Sequence, residues 1–199
     1  MEQAKWGEFF LKDLFTTIRG TRLVVANRIS GTRALVTAGF ENTGVAEFIG
    51  NLDQKIFPAS KITIDMFGNS FYRDYEFSAD DNILVLYEKT EMSKAAKIAI
   101  SSIIHRSLLN KYSYGNQFRL NSFNKEKISL PITAEGKIDF PFMESFIKAL
   151  EAERIKKLED YLISTGLSHY QLTPKEEKVL DIFTKNMRGG GRNTYRLVA

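Results

Sequence analysis

The sequence has no cysteine and very little histidine. Its 199 residues include no Cys and two His, at positions 105 and 169. The lack of Cys excludes disulfides, thiolate zinc sites, iron–sulfur clusters and a Cys nucleophile within this chain. A lone His without a partner is rarely catalytic, so His105 and His169 are expected to be structural. We therefore expect the chain to hold no metal ion itself.

Long apolar runs are also missing. The longest, such as Ile83-Leu84-Val85-Leu86-Tyr87, has the size of a strand and falls far short of the roughly 20 residues that a membrane span needs. The N-terminus carries an acid at position 2 and no apolar signal core, which argues against export. The sequence therefore predicts a cytoplasmic protein that does not cross a membrane.

Charge is present in both signs with a small basic excess. Of all residues 43% are hydrophobic and 26% are charged, and 28 Lys and Arg face 24 Asp and Glu, which leaves a net charge of +4. This length can bury a real core and allows one domain with an appendage or two small domains. The excess suggests an acidic partner, but the distribution of the basic residues is more informative than their total.

The pattern of apolar residues predicts an α+β protein in which a mixed, β-rich domain (residues 1–137) precedes a helical region (residues 138–187). Short β-branched and aromatic runs separated by Gly, Asn and Asp predict strands, and residues 92–109 have the spacing of a helix packed on a sheet. The predicted strands are residues 22–29, 34–37, 45–49, 61–66, 71–77, 83–89 and 127–131.

After Pro131 the apolar period becomes helical. The predicted helix ends near Gly166, and the capping box Thr173-Pro174-Lys175-Glu176 begins a second helix that runs to about Asn186. The apolar stripe of the first of these two helices consists of Met143, Phe146, Ile147, Leu150, Leu158, Tyr161 and Leu162.

The C-terminal residues 188–199 read as a Gly-rich linker or as the start of a second repeat. Residues 192–197 weakly echo residues 6–11, with Tyr195 matching Phe9 and Leu197 matching Leu11. A repeat that begins again after a Gly linker indicates that the chain is half of a two-copy protein.

Motifs for two common nucleic-acid enzymes are absent or poor. The glycine-rich loop and the Asn- or Asp-Pro-Pro-aromatic segment of adenine methyltransferases do not occur. Asp65, Asp80, Asp81 and Glu135-x-Lys137 match a metal nuclease poorly, because the last pair flanks Gly136 in a predicted turn. The residues thus give no support for catalysis.

Three segments combine basic side chains, side-chain amides and small residues in predicted loops, a mixture that is suited to binding DNA. Residues 111–119 offer Lys111, Tyr112, Tyr114, Gln117 and Arg119 around a glycine, although such a loop can simply cover a core. A second segment has four arginines with almost no acidic residues between them, a pattern that a solvated strand face would also show. These are Arg19, Arg22, Arg28 and Arg33. Asn42 and Thr43 lie in a turn, residues 37–44, that can reach a groove or merely close a hairpin.

Taken in order, several motifs resemble the specificity subunits of type I and type IIB restriction–modification systems over nearly the whole chain. The motifs are Trp6-x-x-Phe9-x-Leu11-x-Asp13-Leu14-Phe15, Gly20-Thr21-Arg22-Leu23, Thr37-Ala38-Gly39, Ile64-Asp65-Met66-Phe67-Gly68-Asn69, Phe77-Ser78-Ala79-Asp80-Asp81-Asn82, Tyr112-Ser113-Tyr114-Gly115-x-Gln117-Phe118-Arg119 and Lys127-Ile128-x-Leu130-Pro131. The last of them stands immediately before the long predicted helix.

The resemblance implies a target-recognition domain whose loops read a short DNA half-site, followed by a helix that acts as spacer and dimerisation element. It implies that this chain carries no chemistry and binds no cofactor. Partner modification subunits would carry S-adenosylmethionine and methylate adenine, and in type I systems a restriction subunit would join them. The usual subunit has two recognition domains and this sequence has one, so we expect a homodimer or half of a longer chain.

The predicted helix can be tested against the spacer role. Residues 142–163 would span about 33 Å at roughly 1.5 Å per residue, close to one duplex turn. We assign the spacer contacts to Phe146, Leu150, Leu158, Tyr161 and Leu162. The alternatives are a helix folded back on its own domain and, in a different functional class, an interaction module that binds methyltransferase or inhibitor proteins with little DNA contact.

Overall fold

The computed structural model describes residues 4–167 and 171–189. Its strands are β1 (Lys5–Phe10), β2 (Phe15–Arg19), β3 (Ser30–Val36), β4 (Val45–Ile49), β5 (Lys61–Asp65), β6 (Ser70–Arg73), β7 (Phe77–Ala79), β8 (Ile83–Glu88) and β9 (Lys127–Ile132). Its α-helices are α1 (Leu11–Leu14), α2 (Lys94–Leu108), α3 (Leu120–Lys125), α4 (Phe140–Ser164) and α5 (Pro174–Gly189). The α+β class predicted from the sequence is confirmed.

The strands form three small sheets. A four-stranded antiparallel sheet has the order β2-β8-β5-β6, and a three-stranded sheet has the order β4-β3-β7, with β3 and β7 parallel. The third sheet pairs β1 with β9 in antiparallel register from Lys5↔Ile132 to Phe10↔Lys127. The first strand of the domain is therefore held by the last one.

Helix α2 covers one face of the four-stranded sheet. Its N-terminus is capped by Ser93, whose Oγ accepts the Ala96 N–H at 3.2 Å, and Ile100, Ile104 and Leu108 follow at helical spacing and are fully buried. A second apolar cluster fills the space between the four-stranded and three-stranded sheets around Phe57, Phe77 and Val85. Burial of these side chains is the main contribution to the stability of the domain.

A largely buried ion-pair network ties α2 to the sheet. Lys97 donates from Nζ to Glu88 Oε1 at 2.7 Å and to both oxygens of Ser60, and Lys61 Nζ contacts Glu88 Oε2 at 2.8 Å. Burial disfavours the ionised form of Glu88, but the hydrogen bonds from the two lysines outweigh it and bring its pKa to about 2. Glu88 is therefore ionised at neutral pH, and each lysine keeps a partner.

Helix α4 leaves the domain after two packed turns. Asp139 caps it by accepting the Phe142 N–H at 2.9 Å, and Met143 and Ile147 are buried against the domain. From Leu150 onward the apolar side chains are mostly exposed: 57% for Leu158 and 59% for Tyr161. The alternative of a helix folded back on its own domain thus holds for the first turns only.

The ends of the helices follow the sequence signals. Gly166 adopts φ +72° just after α4, and the Leu167 N–H reaches back to the Leu162 carbonyl at 2.8 Å. At the start of α5 the Thr173 N–H donates to Glu176 Oε2 at 2.9 Å, and the Glu176 N–H donates to Thr173 Oγ1 at 3.4 Å. The glycine cap and the capping box are confirmed.

Some predicted elements were wrong. Residues 22–29 form no strand but a loop with one 3-10 turn, Val25–Asn27, and residues 71–77 divide into β6 and the start of β7. The sequence reading also missed β1, β2, α1 and α3. Helix α5 continues through Gly189, three residues beyond the predicted end. The rest of the predicted linker at 188–199, with its echo of residues 6–11, and His169 lie outside the described residues.

Candidate nucleic-acid interface

Five connecting segments meet at one end of the two larger sheets. We call this surface, residues 19–22, 37–44, 66–69, 80–82 and 111–119, the loop edge. It forms because β2, β3, β5 and β7 end at the same side, where β4, β6 and β8 begin. Arg19, for example, pairs with Leu84 near the start of β8, and Val36 pairs with Ala79 at the end of β7.

Backbone hydrogen bonds join these segments to one another. The Thr21 N–H donates to the Ala79 carbonyl at 2.9 Å, and the Asp80 N–H donates to the Val36 carbonyl at 2.9 Å. The Phe118 N–H donates to the Met66 carbonyl at 2.8 Å. The loop edge is thus anchored by main-chain atoms, which leaves side chains available for other contacts.

Asp65 organises the middle of the loop edge. Its carboxylate, almost completely buried, accepts hydrogen bonds from the N–H groups of Gly39, Phe67 and Asn69 at 2.9, 2.8 and 2.9 Å. It also accepts the Asn69 side-chain amide at 2.8 Å. A carboxylate with four donors from two segments fixes the turn at 66–69 against the loop at 37–44.

Arg73 holds the turn that contains Asn42 and Thr43. These two residues have φ values of +47° and +54°, a left-handed conformation that non-glycine residues rarely adopt. Arg73, only 1% exposed, donates from Nη2 to the Thr43 carbonyl at 2.6 Å and from Nη1 to Thr43 Oγ1 at 3.3 Å. Burial lowers the pKa of Arg73, while Tyr75 and Asp65 oppose that shift. Arg73 therefore holds the turn from its buried side, while Asn42 and Thr43 are exposed.

Two arginines flank a cleft of about 300 Å³ in the loop edge. Arg19 donates from Nη2 to the Asp81 carboxylate at 3.1 Å and from Nε to the Asp81 carbonyl. Arg119 donates from Nη2 to Asn82 Oδ1 at 2.9 Å and to Gln117 Oε1. The turn at 80–82 thus brings together three of the predicted DNA contacts, Arg19, Gln117 and Arg119.

Two aromatic side chains are exposed at the loop edge, one from the 111–119 segment and one from the 37–44 segment. Tyr114 is 77% exposed and contacts Phe67 edge-on, with ring centroids 5.0 Å apart. Phe40 is mostly exposed, and its ring lies 5.5 Å from that of His105, a half-buried residue of α2 whose structural role stays a prediction. Such exposed rings offer apolar contact beside polar groups.

Lys111 and Tyr112 contact the domain itself. Lys111 Nζ lies 3.0 Å from Glu126 Oε2, and Tyr112 donates its hydroxyl to Glu126 Oε1 at 2.5 Å. Burial and the hydrogen bond to Glu126 raise the pKa of Tyr112 to about 12, and its ring packs edge-on against Phe118. Tyr112 therefore covers the core, which is the alternative role given above for the loop at 111–119. Its contact with DNA stays a prediction.

Comparisons with known proteins identify the family. Residues 3–160 match the family model described as type I restriction modification DNA specificity domain. The chain belongs to this family. A curated relative, the Type II restriction enzyme BgcI specificity subunit S.BcgI of Heyndrickxia coagulans, is 23% identical over 154 residues, which are 76% of this chain and 45% of the relative.

Solved structures have the same fold. The type I restriction–modification system S subunit from M. genitalium has a TM-score of 0.55 and 14% identity, and 95% of this chain aligns with 46% of that one. For the HsdS subunit from Thermoanaerobacter tengcongensis the TM-score is 0.52 and the identity 10%, with coverages of 94% and 46%. The chain spans about half the length of the relatives it matches.

The other predicted arginines of this specificity domain differ in their surroundings. Arg28 contacts Glu47 at 2.5 Å, and Arg33 donates from Nε to Ser78 Oγ at 2.9 Å and from Nη2 to the Asn51 carbonyl. Both lie along the β4-β3-β7 sheet, away from the loop edge, and their role in DNA binding stays a prediction. Arg22 is exposed at the loop edge, where its guanidinium has no hydrogen-bond partner within the described ranges.

Sequence reasoning missed the residues of the specificity domain that position others. Asp65, Asp80 and Asp81 were considered as metal ligands, and like Asn82 they stood in the family motifs without a role of their own; Arg73 was not considered. The one available signal was the pattern Asp65-x-x-Gly68-Asn69, which is typical of a turn closed by a carboxylate. Among the residues that the structure describes, no three His, Asp or Glu side chains are placed to hold a metal ion. None of the helices in that part of the chain combines the length and apolar character that a membrane span requires.

Proposed function

We propose that the chain is a sequence-specific DNA-binding specificity subunit that positions partner adenine methyltransferase subunits, and in a type I system a restriction subunit, on a split DNA site. The chain itself would be non-catalytic, and S-adenosylmethionine would be bound by the methyltransferase. Family membership supports a role in DNA specificity, and the named relatives are specificity subunits.

The observation that carries the proposal is the convergence of separate candidate segments at the loop edge. Arg19, Asn42 and Arg119 come from segments up to 100 residues apart, yet the sheets place all three segments at one end. A reader of duplex DNA needs such a surface, because basic groups must meet phosphates while amides and aromatics reach base edges. Arg22 is exposed at this edge and has no hydrogen-bond partner among the residues that the structure describes, which suits it to a phosphate contact.

The second part of the proposal is that α4 is the spacer and dimerisation helix. Its 25 residues span about 37 Å at 1.5 Å per residue, close to one duplex turn. Phe146, Leu150, Leu158 and Tyr161 leave much of their apolar surface exposed, and Leu162 is partly exposed beside them. A second copy of the helix, packed antiparallel, would cover these side chains and hold two loop edges about one turn apart on the same DNA face.

Relatives of twice the length are consistent with two arrangements. Either two copies of this chain pair, or the chain is one half of a longer subunit. In both arrangements two recognition surfaces are joined through helices, so the expected target is split into two parts.

The test is selection from a random duplex pool at moderate salt, with the purified chain and its neighbouring modification subunit. Two related, inverted half-sites would support a homodimer. A single half-site would support recognition by one domain, as in the half of a longer chain. No enrichment, together with no retention at low salt, would rule out DNA recognition.

The exposed apolar face of α4 also favours a second candidate, a module that binds methyltransferase or inhibitor proteins and hardly contacts DNA. The salt dependence of duplex binding distinguishes the two. A reader with several phosphate contacts loses affinity steeply as salt rises, whereas an interaction module does not bind duplex at physiological salt.

A further inference from the structure

We propose that Arg119 is a positioning residue that orients the side-chain amides of Gln117 and Asn82 toward DNA, which makes Asn82 a specificity-determining residue. The proposal rests on the DNA recognition proposed above. It gives Arg119 a role different from a direct phosphate or guanine contact.

The first argument is the direction of the hydrogen bonds. A guanidinium only donates, so the Asn82 and Gln117 groups that contact it must be the amide oxygens. The Arg119 Nη2 lies 2.9 Å from Asn82 Oδ1 and also contacts Gln117 Oε1. Both amides are therefore fixed in one of their two flip states, with their NH₂ groups turned away from Arg119.

The second argument is that these NH₂ groups are unused. Neither Asn82 Nδ2 nor Gln117 Nε2 donates a hydrogen bond to any residue in 4–167 or 171–189, and both side chains are half-buried. Their oxygens are held while their donors remain available, which is the arrangement expected of a preorganised binding group.

The third argument concerns the guanidinium hydrogens of Arg119 that are still available for DNA. A guanidinium presents two pairs of parallel donors, Nη1 with Nη2 and Nε with Nη2, and Nη2 belongs to both pairs. The two Nη2 hydrogens are used by Asn82 and Gln117, so a bidentate contact from Arg119 to guanine would break one of these bonds. Arg119 is thus better placed to hold the amides than to read a base itself.

Arg19, on the other side of the same cleft, provides the contrast. Its Nε and one Nη2 hydrogen contact Asp81, which leaves the end-on pair of Nη1 and Nη2 without a partner in the described part of the chain, and the side chain is 55% exposed. The two arginines have the same chemistry, but of the two Arg19 alone can donate a bidentate pair of hydrogen bonds without breaking a contact described above. Asp81 holds that donor in place.

The ligand groups follow from the free donors. Two oriented NH₂ groups match acceptors on a base edge in the major groove: purine N7, guanine O6 and thymine O4. They mismatch the cytosine amino group, which is itself a donor. We expect the base pairs selected through Asn82 and Gln117 to present acceptors at these positions.

The test compares Arg119→Ala, Asn82→Ala and Gln117→Ala with Lys94→Ala in the full chain together with its modification subunit. Lys94 is an exposed control at the start of α2, about 21 Å along the helix from Leu108, which contacts Gly68 at the loop edge. For each variant the selected sequence, the affinity for the wild-type site and the salt dependence of binding are measured, and thermal unfolding checks the fold.

We expect Arg119→Ala to lose preference at the same base pairs as Asn82→Ala and Gln117→Ala, by about tenfold, with an unchanged salt slope. Combining Arg119→Ala with Asn82→Ala should give less than the sum of their effects, because both remove the same contact. A salt slope that falls by about one in Arg119→Ala, with base preference intact, would identify a phosphate contact and overturn the proposal.

An NMR readout without DNA separates this proposal from the proposed function. In the free protein the side-chain amide signals of Asn82 and Gln117 should shift in Arg119→Ala and return toward wild type in Arg119→Lys, whose ammonium also only donates. Unchanged signals would overturn the orienting role even if DNA binding is intact. If the signals shift in Arg119→Ala but the wild-type protein binds no duplex, DNA recognition would be refuted and only the orienting contact would remain.

Discussion

Replacement of Asp65 tests whether one buried carboxylate holds the loop edge together. Asp65→Ala removes the acceptor of four hydrogen bonds, from three backbone N–H groups and the Asn69 amide. At about 1 kcal/mol net for each bond, the expected loss in the free energy of unfolding is about 4 kcal/mol. Asp65→Asn keeps one oxygen for Phe67 and Asn69 but turns an NH₂ toward the Gly39 N–H, so we expect a loss of about 2 kcal/mol.

Urea unfolding of the two variants measures these losses, and hydrogen exchange of the Gly39 amide reports the loop at 37–44 directly. The matched control is Asp53→Asn, which changes an exposed carboxylate that has no hydrogen bond within the described residues. A loss below about 1 kcal/mol in both variants, or equal losses in both, would refute the assignment of stability to these four bonds.

Three other variants test the ion-pair network, the spacer helix and the phosphate contact. Burial raises the pKa of Glu88, but Lys61 and Lys97 outweigh it and lower the pKa to about 2, so the ion pairs of Glu88 stabilise the fold fully above about pH 5 and lose this effect as the pH falls toward 2. Glu88→Gln should therefore lower the free energy of urea unfolding by about 1 kcal/mol after screening at neutral pH, and the difference from wild type should shrink over that window. A difference that stays constant with pH would contradict the pairing. Leu158→Asp should abolish self-association in sedimentation without lowering the unfolding midpoint, since Leu158 is exposed in the single chain; an unchanged dimer would exclude this face. Arg22→Ala should lower the salt slope of duplex binding by about one and leave the selected sequence unchanged, whereas altered base preference would show that Arg22 reads bases.

The sequence predicted the elements whose signals are local. β4 matches its predicted residues 45–49, and α2 lies within the predicted residues 92–109, because strand alternation and helical spacing can be read in a short window. β1 was missed because its partner, β9, lies more than 110 residues away, and an isolated run with Trp6 and Glu8 exposed gives little indication of that pairing.

The segment at 22–29 shows the opposite error. Its β-branched residues predicted a strand, but it runs over β3 as a loop, with Leu23 packed on Leu35 and Ile49 and its backbone satisfied by side chains such as Asn51. Tertiary contacts of this kind override local propensity.

The candidate site was predicted only in part for a similar reason. Arg19 and Arg119 were chosen for their residue type, which is visible in the sequence. The role proposed for Asn82 depends on Arg119, 37 positions away, and on the Gln117 amide that shares its donor. No local pattern encodes a bond between distant loops, so such positioning residues emerge only from the folded chain.

The pairing of β1 with β9 bears on how the domain is made. The ribosome must add about 120 residues after Phe10 before β9 is complete, which takes roughly 6 to 24 seconds at about 5 to 20 residues per second. Throughout this interval Lys5–Phe10, with three aromatic residues, has no strand to pair with. Closure of the domain is thus a late, non-local event in synthesis, and Lys5–Phe10 leaves the ribosome long before the strand that it pairs with.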